Sequence, residues 1–260
     1  ERTLQEVPVA VSVVTADTIE KANIVDLMDL NAVVPSLDAR QYQSTTNATF
    51  FIRGFGNGSN NPGIEPSVAV FVDGVYRSKI QGQISDLPLV ERIEVLRGPQ
   101  STLFGKNASA GVVNIVTKKP SFEEFTSMTT SFGNYNSKQA KIYNTGPLNE
   151  TMAYSVSANI NTRDGQSKNP TTGNKLNDRD RFGFRSELLI TPADDLSIRI
   201  TADYDEYDET CCVVGSTAYG AANQVAALLG GQVIPNNPFS QTAFFTFDPV
   251  SNGENTGLSM

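Results

Sequence analysis

The chain has 260 residues, 20 Lys+Arg against 28 Asp+Glu for a net charge of −8, and neither His nor Trp. Without His there is no Ser-His-Asp triad, no His-ligated metal and no imidazole acid–base catalyst. A strongly acidic chain is also a poor match for a phosphate backbone, which is bound through Lys and Arg. Enzymes and nucleic-acid binders are therefore set aside, and no cofactor or metal is expected. No run of about 18 apolar residues is present, which excludes a helical membrane span, and the first residues lack a basic-then-apolar signal pattern. A soluble protein or a β-barrel remains.

Charge divides the chain near Lys118-Lys119-Pro120: residues 1–120 carry 11 basic and 12 acidic side chains, and residues 121–260 carry 9 and 16. In the first part Val9 to Val14 reads as a buried strand. Thr15 to Glu20 reads as a helix start, with Asp17 as cap and Glu20 reaching back. A second short helix runs from Asp26 to Val33 and stops before Pro35, which disfavours α geometry in the residue before it. Ser67 to Val72, Arg92 to Leu96 and Gly111 to Thr117 are further apolar strands, so 1–120 is a small α+β domain. Asp73-Gly74 is a two-residue hairpin signal, because a primed turn needs positive φ. Gly98-Pro99 ends a strand, Ser101 caps the turn after it, and Gly54 and Gly105 mark other turns. Gly54, Gly56 and Gly58 lack the spacing and the following helix of a nucleotide loop. Arg53, Glu94 and Arg97 interrupt apolar runs, and any of them that is buried needs a partner.

The second part alternates with a period of two, the mark of a strand. Tyr154, Val156, Ala158 and Ile160 oppose Ser155, Ser157, Asn159 and Asn161. Phe182, Phe184, Ser186, Leu188 and Ile190 oppose Arg181, Gly183, Arg185, Glu187 and Leu189. Leu196, Ile198, Ile200, Ala202 and Tyr204 oppose Ser197, Arg199, Thr201, Asp203 and Asp205. Weaker versions occupy 124–133 and 137–145. Segments of about ten residues suit tilted strands crossing a bilayer, so an antiparallel transmembrane barrel is one of two folds the pattern allows. Short turns at Pro147-Leu148-Asn149 and Pro192-Ala193-Asp194 alternate with long polar tracts, Asp164 to Asp180 and beyond Asp208. In outer-membrane barrels the short turns face the periplasm. A soluble sandwich with one wet face alternates too and stays open as an alternative.

About five strands cannot close a barrel of eight or more, so a barrel implies that the chain is incomplete. Residues 211–260 are rich in Gly, Asn, Pro and Ala, with a short helix at Ala221 to Leu229 and no further full-length strand expected. Asp203, Asp205, Glu206, Asp208 and Glu209 lack the spacing of a calcium loop. Cys211 and Cys212 are adjacent, and they pair either with each other or with a cysteine elsewhere.

Three blocks carry a resemblance. They are Phe51-Ile52-Arg53-Gly54-Phe55-Gly56, Val70-Phe71-Val72-Asp73-Gly74-Val75-Tyr76, and Val90-Glu91-Arg92-Ile93-Glu94-Val95-Leu96-Arg97-Gly98-Pro99-Gln100-Ser101-Thr102-Leu103-Phe104-Gly105 followed by Ala110 to Pro120. Residues 1–120 resemble the plug domain of TonB-dependent outer-membrane receptors, and 121–260 would be the first strands and outer loops of their barrel. The resemblance implies a plug within a barrel of about 22 strands. It also implies outer-membrane lipid as surroundings and import of a scarce solute such as a ferric siderophore. Power would come from a TonB-type inner-membrane complex. Vitamin B12, an oligosaccharide or an aromatic compound are alternative cargos, and a soluble plug-like binding module is the rival of another class. By similarity, ligand-facing apices would hold Arg40, Tyr42, Asn57, Asn60, Asn61, Tyr76 and Arg77. Arg53 and Arg97 would dock on acidic groups of the barrel, with Glu94 paired to one of them. The loop carrying Cys211-Cys212 would lie outside the cell. The partner-binding box is expected close to the plug's beginning, and Glu1 to Glu6 does not match it, which places the box upstream.

Overall fold

The computed structural model describes residues 10–41, 48–56, 65–77, 86, 89–212, 220–230 and 241–260. The chain opens with β1 (Ala10–Thr15) and α1 (Ala16–Lys21). Thr15, not Asp17, caps α1: it has extended backbone and its hydroxyl accepts from the Thr18 amide at 3.4 Å. Asp17 already lies inside the helix, where it pairs with Lys21 one turn on at 2.8 Å. The second helix is a single 3-10 segment, Leu27–Ala32, closed by a capping box between Asp26 and Asp29. Short pieces of this kind commonly take 3-10 geometry.

A three-stranded sheet follows, β2 (Leu37–Gln41), β3 (Ala48–Ile52) and β4 (Phe55–Gly56). Sequence patterning gives no strand there. Next come β5 (Val68–Val72), β6 (Val75–Tyr76), β7 (Val90–Arg97), α2 (Ser101–Phe104) and β8 (Gly111–Thr117). Asp73 and Gly74 form the two-residue β5–β6 turn, with φ of +50° and +82° as a primed turn requires. Gly54, Gly98 and Gly105 also take positive φ. Ser101 makes no cap, because the helix begins after Gln100 and no side chain bonds its end.

The main sheet of this domain runs β1-β7-β8-β5-β6, with β5 and β8 parallel and the other pairs antiparallel. Ile93, Val95, Val68, Val70 and Val113 of this sheet meet Leu27, Leu30 and Ile52 in one fully buried core. Gly111 admits the small sheet: a Cβ there would lie 2.5 Å from the Ile52 Cδ1 atom and 2.5 Å from the Leu96 carbonyl oxygen.

The second part is a six-stranded antiparallel wall. Its long strands are β9 (Phe125–Gly133), β10 (Ser137–Asn149) and β11 (Met152–Arg163). After a small hairpin, β12 (Ser167–Lys168) and β13 (Lys175–Leu176), come β14 (Arg179–Ala193) and β15 (Leu196–Thr210). Helix α3 (Ala221–Leu228) precedes β16 (Val250–Ser259). The order β9-β10-β11-β14-β15-β16 leaves an open sheet. β16 corrects the expectation of no further strand after Cys212. Its sequence, VSNGENTGLS, has almost no apolar alternation, and its pairing is fixed by ten register contacts with β15. Both short turns also shift: Pro147 to Asn149 still belong to β10 and Pro192 and Ala193 to β14, so the chain reverses at Glu150-Thr151 and at Asp194-Asp195.

Cross-strand register sorts the wall into two faces. Met128, Ile142, Val156, Ile160, Phe182, Phe184, Leu188, Ile200 and Leu258 share one face, and many of them are exposed, Met128 at 70%. The other face carries Thr145, Ser155, Asn161, Arg181, Arg185, Glu187, Asp203 and Glu209, and the first domain sits against it. Water favours the reverse arrangement, and a contiguous exposed apolar band fits lipid. Among the described residues no helix is long and apolar enough to cross a membrane.

At the loop end the connections are tied together. Lys168 pairs with Thr242, and the Asp248 carboxylate accepts from Asn169, Thr172 and Asn174 at 3.0, 2.7 and 2.6 Å. These donors hold the Asp248 carboxyl below its ordinary pKa, Asn174 contributing most.

Candidate functional site: the seat of the plug on the wall

The two domains meet through buried charge at two levels. Nearer the loop end, Arg181 of β14 is bound by Glu209 of β15, Nε to Oε1 at 2.6 Å. Its Nη1 reaches Asp86 at 3.0 Å and Asp26 at 3.4 Å, both on the first domain. Asn161 of β11 donates to Asp86 at 2.9 Å, and Arg179 stands 3.5 Å from Asp26. Asp26 is placed by its work as helix cap: Oδ1 accepts from the Met28 amide at 2.9 Å while Oδ2 faces the arginines.

About 13 Å along β14, at roughly 3.3 Å per residue, lies the second level. Here Arg185 Nη2 meets Asp73 Oδ2 at 2.6 Å and Arg199 of β15 meets the same oxygen at 3.1 Å. Both arginines also bind Glu187, at 2.8 and 2.7 Å. Asp73 is held from its own side by Thr117 at the end of β8, whose amide and hydroxyl donate to it at 2.9 and 2.7 Å. Asp203 adds longer contacts to Arg77 at 3.5 Å and Arg185 at 3.4 Å. All the Asp73 and Glu187 partners are largely excluded from water, so unpairing any of them strands a buried charge.

The expected site residues distribute as follows. Arg40, at the end of β2, is exposed, pairs with Asp38 and lies over the Phe51 ring at 4.8 Å. Tyr42, Asn57, Asn60 and Asn61 lie outside the described residues. Tyr76 turns inward: its hydroxyl accepts from Asn107 at 2.7 Å and its ring packs on Phe71, and burial raises its pKa. Arg77 faces the wall at Asp203. Arg53 is exposed in the β3–β4 turn, and neither it nor Arg97 has an acidic partner among the described residues. The Arg97 Nε is buried without a hydrogen bond there. Glu94 pairs with neither. It takes Arg92 at 2.7 Å and the Asn114 amide at 2.9 Å, and this bond raises the Arg92 pKa. Alternation explains the difference: Arg92 and Glu94 are two apart on β7 and share a face, whereas Arg53 is on another sheet. Cys211 and Cys212 sit at the end of β15 with their sulfurs joined, and the Gln41 side chain of β2 lies 3.9 Å from Cys211 Sγ.

Asp26, Asp86, Arg181, Arg185, Glu187, Arg199 and Glu209 are absent from the sequence expectations as docking residues. Their signal was present: Arg181, Arg185 and Glu187 fall on the polar parity of an otherwise apolar strand, where a charge needs a partner.

These features define a plug domain seated on the polar face of a membrane-type strand wall. Residues 3–112 match the family model of the TonB-dependent receptor plug domain. The pesticin receptor of Yersinia pestis is 31% identical over 64% of this chain and 24% of its own length. A vitamin B12 transporter of Vibrio vulnificus is 28% identical over 73% of this chain and 30% of its own. Among solved structures, the ferric yersiniabactin uptake receptor FyuA of Yersinia pestis superposes with a TM-score of 0.74 at 27% identity, covering 80% of this chain and 33% of that one. The matched segment is a plug domain of the TonB-dependent receptor family, the fold of the chain is that of part of these outer-membrane receptors, and the chain spans about a quarter to a third of the length of these relatives.

Proposed function

We propose that the protein imports a scarce, large solute, a ferric siderophore, across the outer membrane. The observation that carries this reading is the plug seated by buried ion pairs on a wall whose far side is apolar. A soluble binding module has no use for that exposed face. On this reading the turns at Glu150-Thr151 and Asp194-Asp195 face the periplasm, and the loops holding Cys211-Cys212 and Asp248 face outward. Ligand meets the outward apices, with Arg40, Tyr42, Asn57, Asn60 and Asn61 as contacts, and the exposed Arg40 suits an anionic chelate, whereas Tyr76 and Arg77, expected among these contacts, are engaged by Asn107 and by Asp203 of the wall. Arg53 and Arg97 dock on wall strands outside this chain. No step is chemical. Ligand favours one plug state over another, and a TonB-type partner in the inner membrane supplies the work.

Siderophore cargo is supported by the likeness to a ferric yersiniabactin uptake receptor, and the vitamin B12 transporter among the relatives marks the second cargo class. The test is the abundance of the protein in outer membranes from iron-starved and iron-replete cultures. Strong induction by starvation is expected. No response to iron would shift the cargo to vitamin B12, an oligosaccharide or an aromatic compound, and absence from membranes would overturn the transport reading.

A further inference from the structure

The two levels of the seat repeat one arrangement. At each, a wall glutamate takes the Nε edge of a wall arginine: Glu209 on Arg181 at 2.6 Å and Glu187 on Arg185 at 2.8 Å. At each, a terminal nitrogen of that arginine is left for a plug aspartate: Asp86 at 3.0 Å and Asp73 at 2.6 Å. The polarity is the reverse of plug arginines meeting wall acids.

We propose that Arg181 and Arg185 are receiving sites of the barrel, that Glu209 and Glu187 are their positioning residues, and that the aspartates of the plug, Asp73 above all, key it into place. Guanidinium is suited to this because its planar fork binds on two edges at once, which an ammonium cannot do. A wall arginine without its glutamate would be free to choose rotamers, and the seat would lose its order before the plug arrived. Asp73 is the stronger key because one carboxylate joins three things: the β5–β6 turn, the last residue of β8 through Thr117, and the wall strands β14 and β15 through Arg185 and Arg199.

This deepens the proposed function and rests on the plug-and-barrel reading, but its test uses no ligand. In the full-length receptor, the hydrogen exchange of the Thr117 amide reports the seat directly, because that amide donates to Asp73. Entry of a large antibiotic into cells reports leakage. Asp73→Asn should speed exchange at Thr117 and raise leakage at least tenfold. Arg185→Gln should do the same, and the double variant should be no worse than the more severe single one, because both break the Asp73–Arg185 contact. Glu187→Gln should loosen the seat as well, although Glu187 does not touch Asp73, and Arg185→Lys should fail to restore it. Heat-dependent migration of the barrel on gels should be unchanged throughout. Effects of Asp73→Asn and Arg185→Gln that multiply, or a Thr117 amide unaffected by Asp73→Asn, would overturn the proposal. If Asp73→Asn prevents assembly, Thr117→Val and Glu187→Gln carry the same test by leakage, and wild-type tightness in both overturns it. Failure here leaves iron-regulated import standing, and failure of the iron test leaves the seat standing.

Discussion

The plug and the wall are built from similar strands, yet they bury opposite faces. In the plug, Ile93, Val95 and Val113 are fully buried, and the buried carboxylates Asp26 and Asp86 lie where the plug meets the wall. In the wall, the apolar residues Phe182, Phe184 and Ile160 are exposed on one side while Arg181, Glu187 and Glu209 are buried on the other. One domain is organised against water, the other against lipid outside and the plug inside. A two-residue alternation is therefore neutral about environment, and what separates the cases is where the charges find partners.

The largest expected effect tests the plug's side of this contrast. Ile93→Asp puts an unpaired charge in the core and should cost more than about 4 kcal/mol. The plug's thermal transition should vanish while the β-strand signal of the barrel persists. Next comes the wall: Phe184→Arg on the lipid face should cost about 2–4 kcal/mol in bilayer insertion, measured by reversible unfolding into vesicles. The same change at a water-facing strand position would be nearly neutral. Arg97→Ala should increase leakage of large antibiotics, severalfold less than Asp73→Asn does, because the described wall strands give Arg97 no acidic partner. Unchanged permeability would count against a docking role for Arg97.

The smallest effect is at the loops. Because the folded pKa of Asp248 is depressed, its tie to Asn169, Thr172 and Asn174 is present above the unfolded value of about 4 and is lost as pH falls through the folded value. Pepsin should thus begin to cut within 164–178 only as pH is lowered past that point, and Asp248→Asn should be cut at every acid pH.

Much of this molecule was legible in the sequence. The alternation at 153–163, 181–191 and 196–205 located three long strands, and Asp73-Gly74 located the turn, because side-chain period and positive φ are local properties. β16 escaped because its register is imposed by β15 and not by its own residues. The small β2-β3-β4 sheet escaped because its short strands alternate only at Leu37, Ala39, Phe50 and Ile52. The seat was half legible. Parity placed Arg181, Arg185 and Glu187 on one polar face, but Asp73 and Arg185 are 112 residues apart, and no local pattern reports a contact of that range.

The most direct test of the two-faced wall is a cysteine spin-label scan of β14, positions 181 to 190, in the full-length receptor in lipid bilayers. Labels at 182, 184, 188 and 190 should be reached by dissolved oxygen and shielded from a water-soluble relaxant, and labels at 181, 183, 185 and 187 should be shielded from both, packed under the plug. Water-soluble relaxant reaching 182, 184 and 188 would contradict the account and return this sheet to a soluble protein.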